Sequence, residues 1–530
     1  MVYSQHNNIG GGGVYDQVCD KCDMDIQVKT KLTKYIPAAL FLVSGIYYYA
    51  LSSKIFTWIY TSGDAGDWLV QTNWWMVPQC WGKPFYIALI HFTSLFPGDD
   101  VLKITLLSVI AGAAMVSLTY LIAHRMTGSV KLGLIAALVV MGSNIILSQA
   151  TVLEQYTVLG ALFLAFFYFY QRDKLLLAAI FLGMTTAVHM LGLVFTFLFV
   201  FVEWGRIKSL LKYSPAYILF GLVPYLLIVG MMMADTPKLL AGYFSLEGLN
   251  AYGGNTTTTA ALALTESPAR LRDMAIVLVP ALGFAIVPLW VGFKRPWDNK
   301  TRFILATFGF SLWFYFTNLF PSTWKFLVPA LPLVVCVAVV GLSKLPNWHR
   351  YVVVAGAIVL IIVNVFQFNT NTMAEEKPLA TEYLEAVMEL PDGAAVITPR
   401  GGAYGFTIFY AMSEGKNIIP LALRKPDDEW LSEENNQGYI DYLIWLDREY
   451  GIKGDNTFEI IKDAIAKGHP IYFATPMTRA WGCAFVYEDN DMGYLYKVTD
   501  VLAYPIWPDT SVDSIWGDYW QLREGTSEDD

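Results

Sequence analysis

Charged residues are scarce in this chain. They make up 15% of its 530 residues against 55% hydrophobic, at a mean hydropathy of +0.43, which excludes a soluble globule with an ordinary polar surface. Cysteine is scarce as well: the five present are scattered and odd in number, which excludes a disulfide framework. Cys19-Asp-Lys-Cys22 is the one suggestive pair, but zinc ordinarily takes four ligands and no second pair follows, so the plainer reading is a polar cytosolic tail. The net charge of −9 averages an acidic C-terminal third with lysine- and arginine-bearing loops. No basic domain or stacking module accompanies it, which argues against nucleic acid as a partner. The first apolar run begins near Tyr35, after a polar segment with glycine at positions 10–13, so it reads as an uncleaved first span rather than a signal peptide.

What the chain has in quantity is apolar sequence in runs of roughly 17 to 23 residues, each able as a helix to cross a bilayer core of about 30 Å. Such runs fall near 35–53, 101–123, 131–148, 156–171, 175–190, 191–204, 215–233, 273–293, 303–319, 326–343 and 351–368. They predict a polytopic α-helical membrane protein with about 11 transmembrane helices. The runs 175–190 and 191–204 are short and also readable as one broken helix, which would reverse the topology beyond them.

Basic residues orient the set. Lys29, Lys31 and Lys34 put residues 1–34 in the cytosol, and alternate loops carry Arg125 and Lys131, Arg172 and Lys174, Arg206, Lys208 and Lys212, Lys294, Arg295, Lys300 and Arg302, and Lys344 and Arg350. Within the membrane region 35–368, the outer loop 61–100, Glu154, the loop 234–273 and Lys325 are then expected on the non-cytosolic face. After Asn369 the composition changes, and 369–530 reads as a soluble, extracytoplasmic α/β domain. Strand patterns at 394–398, 417–422 and 470–474 alternate with helical ones at 404–412 and 457–466, which suggests a small parallel sheet.

The candidate chemistry centres on Asp64-Ala-Gly-Asp67-Trp68 in the first outer loop. A carboxylate at a membrane boundary is costly unless hydrated, paired or bound to a cation, so two so close are a functional candidate. Asp64 or Asp67 can serve as a general base; the alternative is a helix cap or an ion pair with Lys83. Trp68, Trp74, Trp75 and Trp81 fit interfacial anchors. The apolar stretch 84–96 is too short to span, begins with Pro84 and is stopped by Pro97-Gly98, and so predicts a helix lying at the outer interface.

Glu154 stands in the next outer loop. It can bind a divalent metal with the aspartates or orient an acceptor, or it is a loop carboxylate favoured by the following helix dipole. His189, near the outer end of an apolar span, and His91, on the interfacial helix, are polar groups at the same depth; a hydrogen-bonded structural role is the alternative for both. Lys325 and Lys103 are placed to meet a lipid phosphate, with Arg270 and Arg272 as competitors and snorkelling as the plainer role of each.

These residues carry a resemblance. The first third is similar to the GT-C glycosyltransferases, most closely to the branch related to protein O-mannosyltransferases, in which an Asp-Ser-Gly-Glu-Phe-like motif opens the first outer loop. Asp64-Ala-Gly-Asp67-Trp68 occupies that place. In the following His-Pro-Pro-Gly-Tyr-Pro-Leu-Tyr-like run only Gly82, Pro84 and Tyr86 match, with Gln79, Cys80 and Trp81 where His-Pro-Pro would stand. Leu95-Phe-Pro-Gly-Asp-Asp with Lys103, Ser148-Gln-Ala with Glu154-Gln-Tyr156, and His189 resemble later motifs, while 390–398 and 469–473 resemble strands of the outer domain.

The resemblance implies a dolichyl- or undecaprenyl-phosphate sugar donor, inversion at the anomeric carbon, and Asp64 as base. The candidates around donor and acceptor are Glu154, Tyr156, His189, Lys83, Tyr86 and His91. No cofactor is firmly implied, and many members work without an essential metal. The expected partners are membrane lipid, the polyprenyl-phosphate sugar, and a protein, lipid or glycan acceptor. Other readings are an oligosaccharyltransferase, from Trp516-Gly-Asp-Tyr-Trp520, a non-catalytic subunit of the same fold, and a lipid or solute transporter. Asn255-Thr-Thr257 is a sequon on the expected outer side.

Overall fold

A computed structural model describes residues 33–52, 68–69, 72, 83–98, 100–227, 267–293, 298–317, 325–373, 379–399, 408, 410–423, 444, 446–454, 457–474, 485–488 and 495–501. Cys19, Cys22, Asp64, Asp67, the sequon at Asn255 and the segment 516–520 lie outside them. In chain order the helices of the apolar part are α1 (Ile36–Ser52), α2 (Pro84–Ser94), α3 (Asp100–Thr127), α4 (Val130–Met141), α5 (Asn144–Ala150), α6 (Tyr156–Gln171), α7 (Leu175–Val188), α8 (Met190–Val202), α9 (Ile207–Leu211), α10 (Ser214–Phe220), α11 (Ser267–Leu282), α12 (Ile286–Phe293), α13 (Asn299–Thr317), α14 (Leu331–Leu342) and α15 (Asn347–Met373).

Every apolar run read from the sequence holds a helix, yet few are single straight spans. Among the described residues three are long and apolar enough to cross a membrane: Asp100–Thr127, Met274–Gly292 and Asn347–Gln367. Two bent pairs, Val130–Met141 with Asn144–Ala150 (62°) and Met190–Val202 with Trp204–Leu211 (78°), bring the number to five. Five shorter apolar helices complete the set, so helix length alone accounts for fewer crossings than the sequence runs suggest. The chain is an integral membrane protein: its outer helices present Trp348, Tyr351, Ile358, Ile362 and Phe366 to the surroundings, a belt that water would not tolerate at this extent.

The bundle is built around α3 and α14. All of Leu331–Leu342 is buried, as expected for a helix apolar on every side. α3 packs against α1, α4, α6 and α14. Its approach to α1 and α5 depends on a missing side chain, because a Cβ at Gly112 would stand 2.7 Å from the Ala150 Cβ and 3.1 Å from the Tyr48 ring.

The runs 175–190 and 191–204 are two helices. His189 between them is extended (φ −160°, ψ 146°), and α8 folds back along α7 so that the hydroxyls of Thr186 and Thr196 come within 3.4 Å. In one straight helix those residues would be about 15 Å apart. Gly192 permits the return, since a Cβ there would collide with the Thr185 carbonyl.

α2 begins with Pro84 in its first turn and ends before Pro97-Gly98, as the sequence predicts, and packs on α3 and α7. Beyond α15 come α16 (Leu379–Glu389), β1 (Ala394–Pro399), β2 (Ile418–Leu423), α17 (Thr457–Ala466), β3 (Ile471–Ala474), β4 (Phe485–Glu488) and β5 (Leu495–Val501). The strands form one sheet in the order β2-β1-β3-β5-β4. β1 pairs in parallel with β2 and β3, but β5 runs antiparallel to both β3 and β4, so the sheet is mixed rather than wholly parallel. A short connection between β4 and β5 allows a hairpin, whereas parallel pairing needs a longer crossover.

Candidate functional site

α3 and α6 run side by side in the same direction, and the site forms where both begin. Ser108, early in α3, donates its hydroxyl to the Glu154 carbonyl (2.9 Å) and accepts from the Glu154 N–H (3.4 Å). This fixes the backbone just ahead of α6 and aims the Glu154 side chain inward, where the residue is 3% exposed.

Two lysines converge on it from distant parts of the chain. Lys325 Nζ stands 3.5 Å from Glu154 Oε1, with both side chains largely buried. With its amide oriented to satisfy both neighbours, Gln155 donates to Glu154 Oε2 (3.0 Å) and accepts from Lys83 Nζ (3.2 Å). Lys83, the residue before α2, also lies over the Trp68 ring at 4.5 Å. The result is one continuous polar chain, Lys325–Glu154–Gln155–Lys83, inside an apolar bundle. Buried charges survive only in such paired and hydrogen-bonded company.

Aromatic rings wall the chain on two sides. Trp68 meets Tyr86 edge to face, with centroids 5.0 Å apart, and both are fully buried. On the other side Lys325 lies over the Tyr156 ring at 5.0 Å, and Tyr156 contacts Phe326 (5.4 Å, edge to face) and His189 (5.4 Å). His189 is held by its own backbone, its Nδ1 accepting from the Leu191 N–H at 3.0 Å. The hydroxyls of Thr105 and Thr157 and the indole N–H of Trp68 are buried with no hydrogen-bond partner among the described residues. Buried polar groups ordinarily find partners, so this end of the bundle has donors and acceptors to offer.

Of the residues picked from sequence, Lys83, Tyr86, Glu154, Tyr156, His189 and Lys325 come together here. His91 stands on the last turn of α2, roughly 12 Å along the helix from Lys83. Lys103 is engaged elsewhere: it pairs with Asp100 (2.6 Å), which also accepts from Tyr410 at 3.5 Å, tying the start of α3 to the C-terminal part. Asp64 and Asp67 are outside the described residues. Trp68, the next residue after Asp67 in the sequence, is buried against Lys83 and Tyr86, not displayed as a surface anchor.

Sequence reasoning passed over Gln155, Ser108 and Phe326 as site members. Gln155 was within reach, since a glutamine flanked by Glu154 and Tyr156 ahead of an apolar helix is an expensive residue to bury. Nothing local marks Ser108. Among the described residues no three His, Cys, Asp or Glu side chains converge as a metal set, and Glu154 is the carboxylate of this cluster.

With this geometry in view, comparison with solved structures gives the fold. The chain is similar to ArnT from Cupriavidus metallidurans in its apo state (TM-score 0.55, 11% identity, 89% of this chain and 98% of that one). It is similar too to ArnT from Cupriavidus metallidurans bound to undecaprenyl phosphate (TM-score 0.53, 12% identity, 89% and 99%). The fold is shared with ArnT. A weaker similarity, TM-score 0.47 at 13% identity over 83% of this chain and 68% of the other, is to an Archaeoglobus fulgidus oligosaccharyltransferase in complex with Zn and sulfate, and nothing below rests on it. No family model matches the sequence, and no curated protein matches it.

Proposed function

We propose that this protein is an inverting GT-C-type glycosyltransferase that moves a sugar from a polyprenyl-phosphate donor to a hydroxyl of a protein, lipid or glycan on the non-cytosolic membrane face. The observation that carries this reading is the buried chain Lys325–Glu154–Gln155–Lys83, which sets two ammonium groups and an aromatic wall around one carboxylate. The shared fold with ArnT, which has been crystallised with undecaprenyl phosphate, supports the donor class.

In this reaction Asp64 takes the proton of the acceptor hydroxyl as its oxygen attacks the anomeric carbon. The bond from that carbon to the phosphate oxygen breaks on the opposite face, and the lipid phosphate leaves with the electron pair. Lys83 and Lys325 stabilise its charge, Gln155 and Glu154 hold the lysines in register, and the Tyr156, Phe326 and His189 rings offer a stacking face for the sugar. Asp67 is the alternative base. Arg125 and Arg172 at the far ends of α3 and α6 support a cytosolic location there, hence an outward site and an extracytoplasmic C-terminal part.

The test is sugar transfer from a polyprenyl-phosphate donor by the purified chain. Asp64→Asn is expected to abolish it and Lys325→Ala to reduce kcat; transfer unchanged in Asp64→Asn removes the mechanism. One observation favours a second reading, a non-catalytic subunit of the same fold: Gln79, Cys80 and Trp81 stand where the resembled motif has His-Pro-Pro. Absence of transfer by the native chain with all donors would favour it.

A further inference from the structure

A second polar site lies at the other end of the same helices. Arg125 near the end of α3, Gln171 at the end of α6, and Asp298 and Lys300 at the start of α13 line a cavity of about 430 Å³, with Phe167 and Val340 among its apolar walls. It is some 25 Å from Glu154, the length of α6. It is therefore independent of the transfer site and of the reading given to it.

Each polar group has a defined posture. Arg125 donates from Nε (3.2 Å) and Nη2 (3.1 Å) to the Gln171 carbonyl, which pins the guanidinium at the cavity. Lys300 is steadied over the Tyr170 ring at 5.5 Å. Asp298 uses one oxygen, Oδ1, to accept from the Thr301 N–H (2.8 Å). Gln171 lines the cavity and is 5% exposed, and among the described residues its side-chain Oε1 has no hydrogen-bond partner. A buried amide oxygen ordinarily meets a donor, so a group that gives a hydrogen bond suits this place.

We propose that this cavity binds an aminoalkyl phosphate, with the phosphate on Arg125 and Lys300 and the ammonium on Gln171 Oε1 and Asp298. That is the headgroup chemistry of an aminophospholipid, or of the free headgroup. The two cations answer the phosphate's charge, and the two acceptors demand a group that donates hydrogen bonds. The apolar walls suit the glycerol and first methylenes of a lipid, and basic pockets between membrane helices are known lodgings for phospholipid headgroups.

Native mass spectrometry of the full chain, delipidated in detergent and titrated with dioleoyl phosphatidylethanolamine, dioleoyl phosphatidylcholine and free phosphoethanolamine, tests this. The native chain is expected to hold one phosphatidylethanolamine about fivefold more tightly than phosphatidylcholine, whose trimethylated nitrogen has no hydrogen to give Gln171. Lys300→Gln is expected to weaken phosphatidylethanolamine by about fivefold or more, and Gln171→Leu to erase the preference while phosphatidylcholine binding stays. Displacement of the lipid by free phosphoethanolamine assigns the site to the soluble headgroup as well; its failure to compete assigns the site to the lipid. Equal retention by the native chain and Lys300→Gln, or no preference in the native chain, overturns the proposal.

Discussion

The two ends of the α3 and α6 pair make opposite uses of the same packing. Ser108 meets Glu154 at one end and Arg125 meets Gln171 at the other, and in both pairs the residues are 46 positions apart. The helices thus lie parallel without a slip over their common length. At the first end the side chains close on one another, lysine to glutamate to glutamine to lysine. At the second, a guanidinium satisfies a backbone carbonyl of a residue that lines a cavity. A carboxylate in a bundle interior must be neutralised where it stands, while a cation at a helix end can reach a carbonyl that the helix itself has left unbonded.

The sharpest way to break this contrast is to remove the carboxylate. Glu154→Leu removes the carboxylate that Lys325 meets at 3.5 Å, and a loss of about 3–5 kcal/mol in unfolding free energy is expected. The double variant Glu154→Leu with Lys325→Met should recover much of it, as measured by denaturant unfolding in detergent. If the double variant is no better than the single, the pair is not the unit described here.

The common register is tested at Gly112, one turn on from Ser108. Gly112→Leu forces α3 away from Ala150 and Tyr48, at an expected cost of about 1–3 kcal/mol, and should loosen both ends together. Hydrogen exchange at Glu154 and at Arg172 reads that coupling. Ser108→Ala removes hydrogen bonds at one end alone, for about 1 kcal/mol, and should leave exchange at the far end unchanged.

The smallest effect belongs outside the bundle. Asp463 is hydrogen-bonded by the Lys467 ammonium and by the Lys453 N–H, which together lower its pKa below the usual carboxylate value. A carboxyl depressed in the folded state adds stability above its unfolded pKa and loses it as the pH falls through the lower folded value. The melting temperature of Asp463→Asn should therefore fall slightly below that of the native chain at neutral pH, with the gap closing under acid conditions below about pH 4.

Much of this architecture could be read in advance because periodicity is local. The helix opened by Pro84, the break before Pro97, and the strands at Ala394–Pro399 and Ile471–Ala474 follow from residues within one or two turns of themselves. The site was half legible on the same grounds: Glu154, Tyr156, His189 and Lys325 stand out as polar or aromatic residues at the ends of apolar runs. What joins them was not. Lys325 meets Glu154 across most of the bundle, and no spacing encodes that encounter. Lys103 looked equivalent to Lys325 in sequence but found Asp100 one turn away, the nearer and less costly partner. The three strands legible in the sequence pair in parallel; β4 and β5, whose antiparallel pairing makes the sheet mixed, were not among them.

The hinge at residue 189 limits what its ring can say to a visitor. Since Nδ1 is occupied as an acceptor by the amide that opens α8, a neutral imidazole there must carry its hydrogen on the opposite nitrogen, Nε2. That nitrogen can then speak only as a giver of hydrogen bonds, to a hydroxyl lone pair or a phosphoryl oxygen.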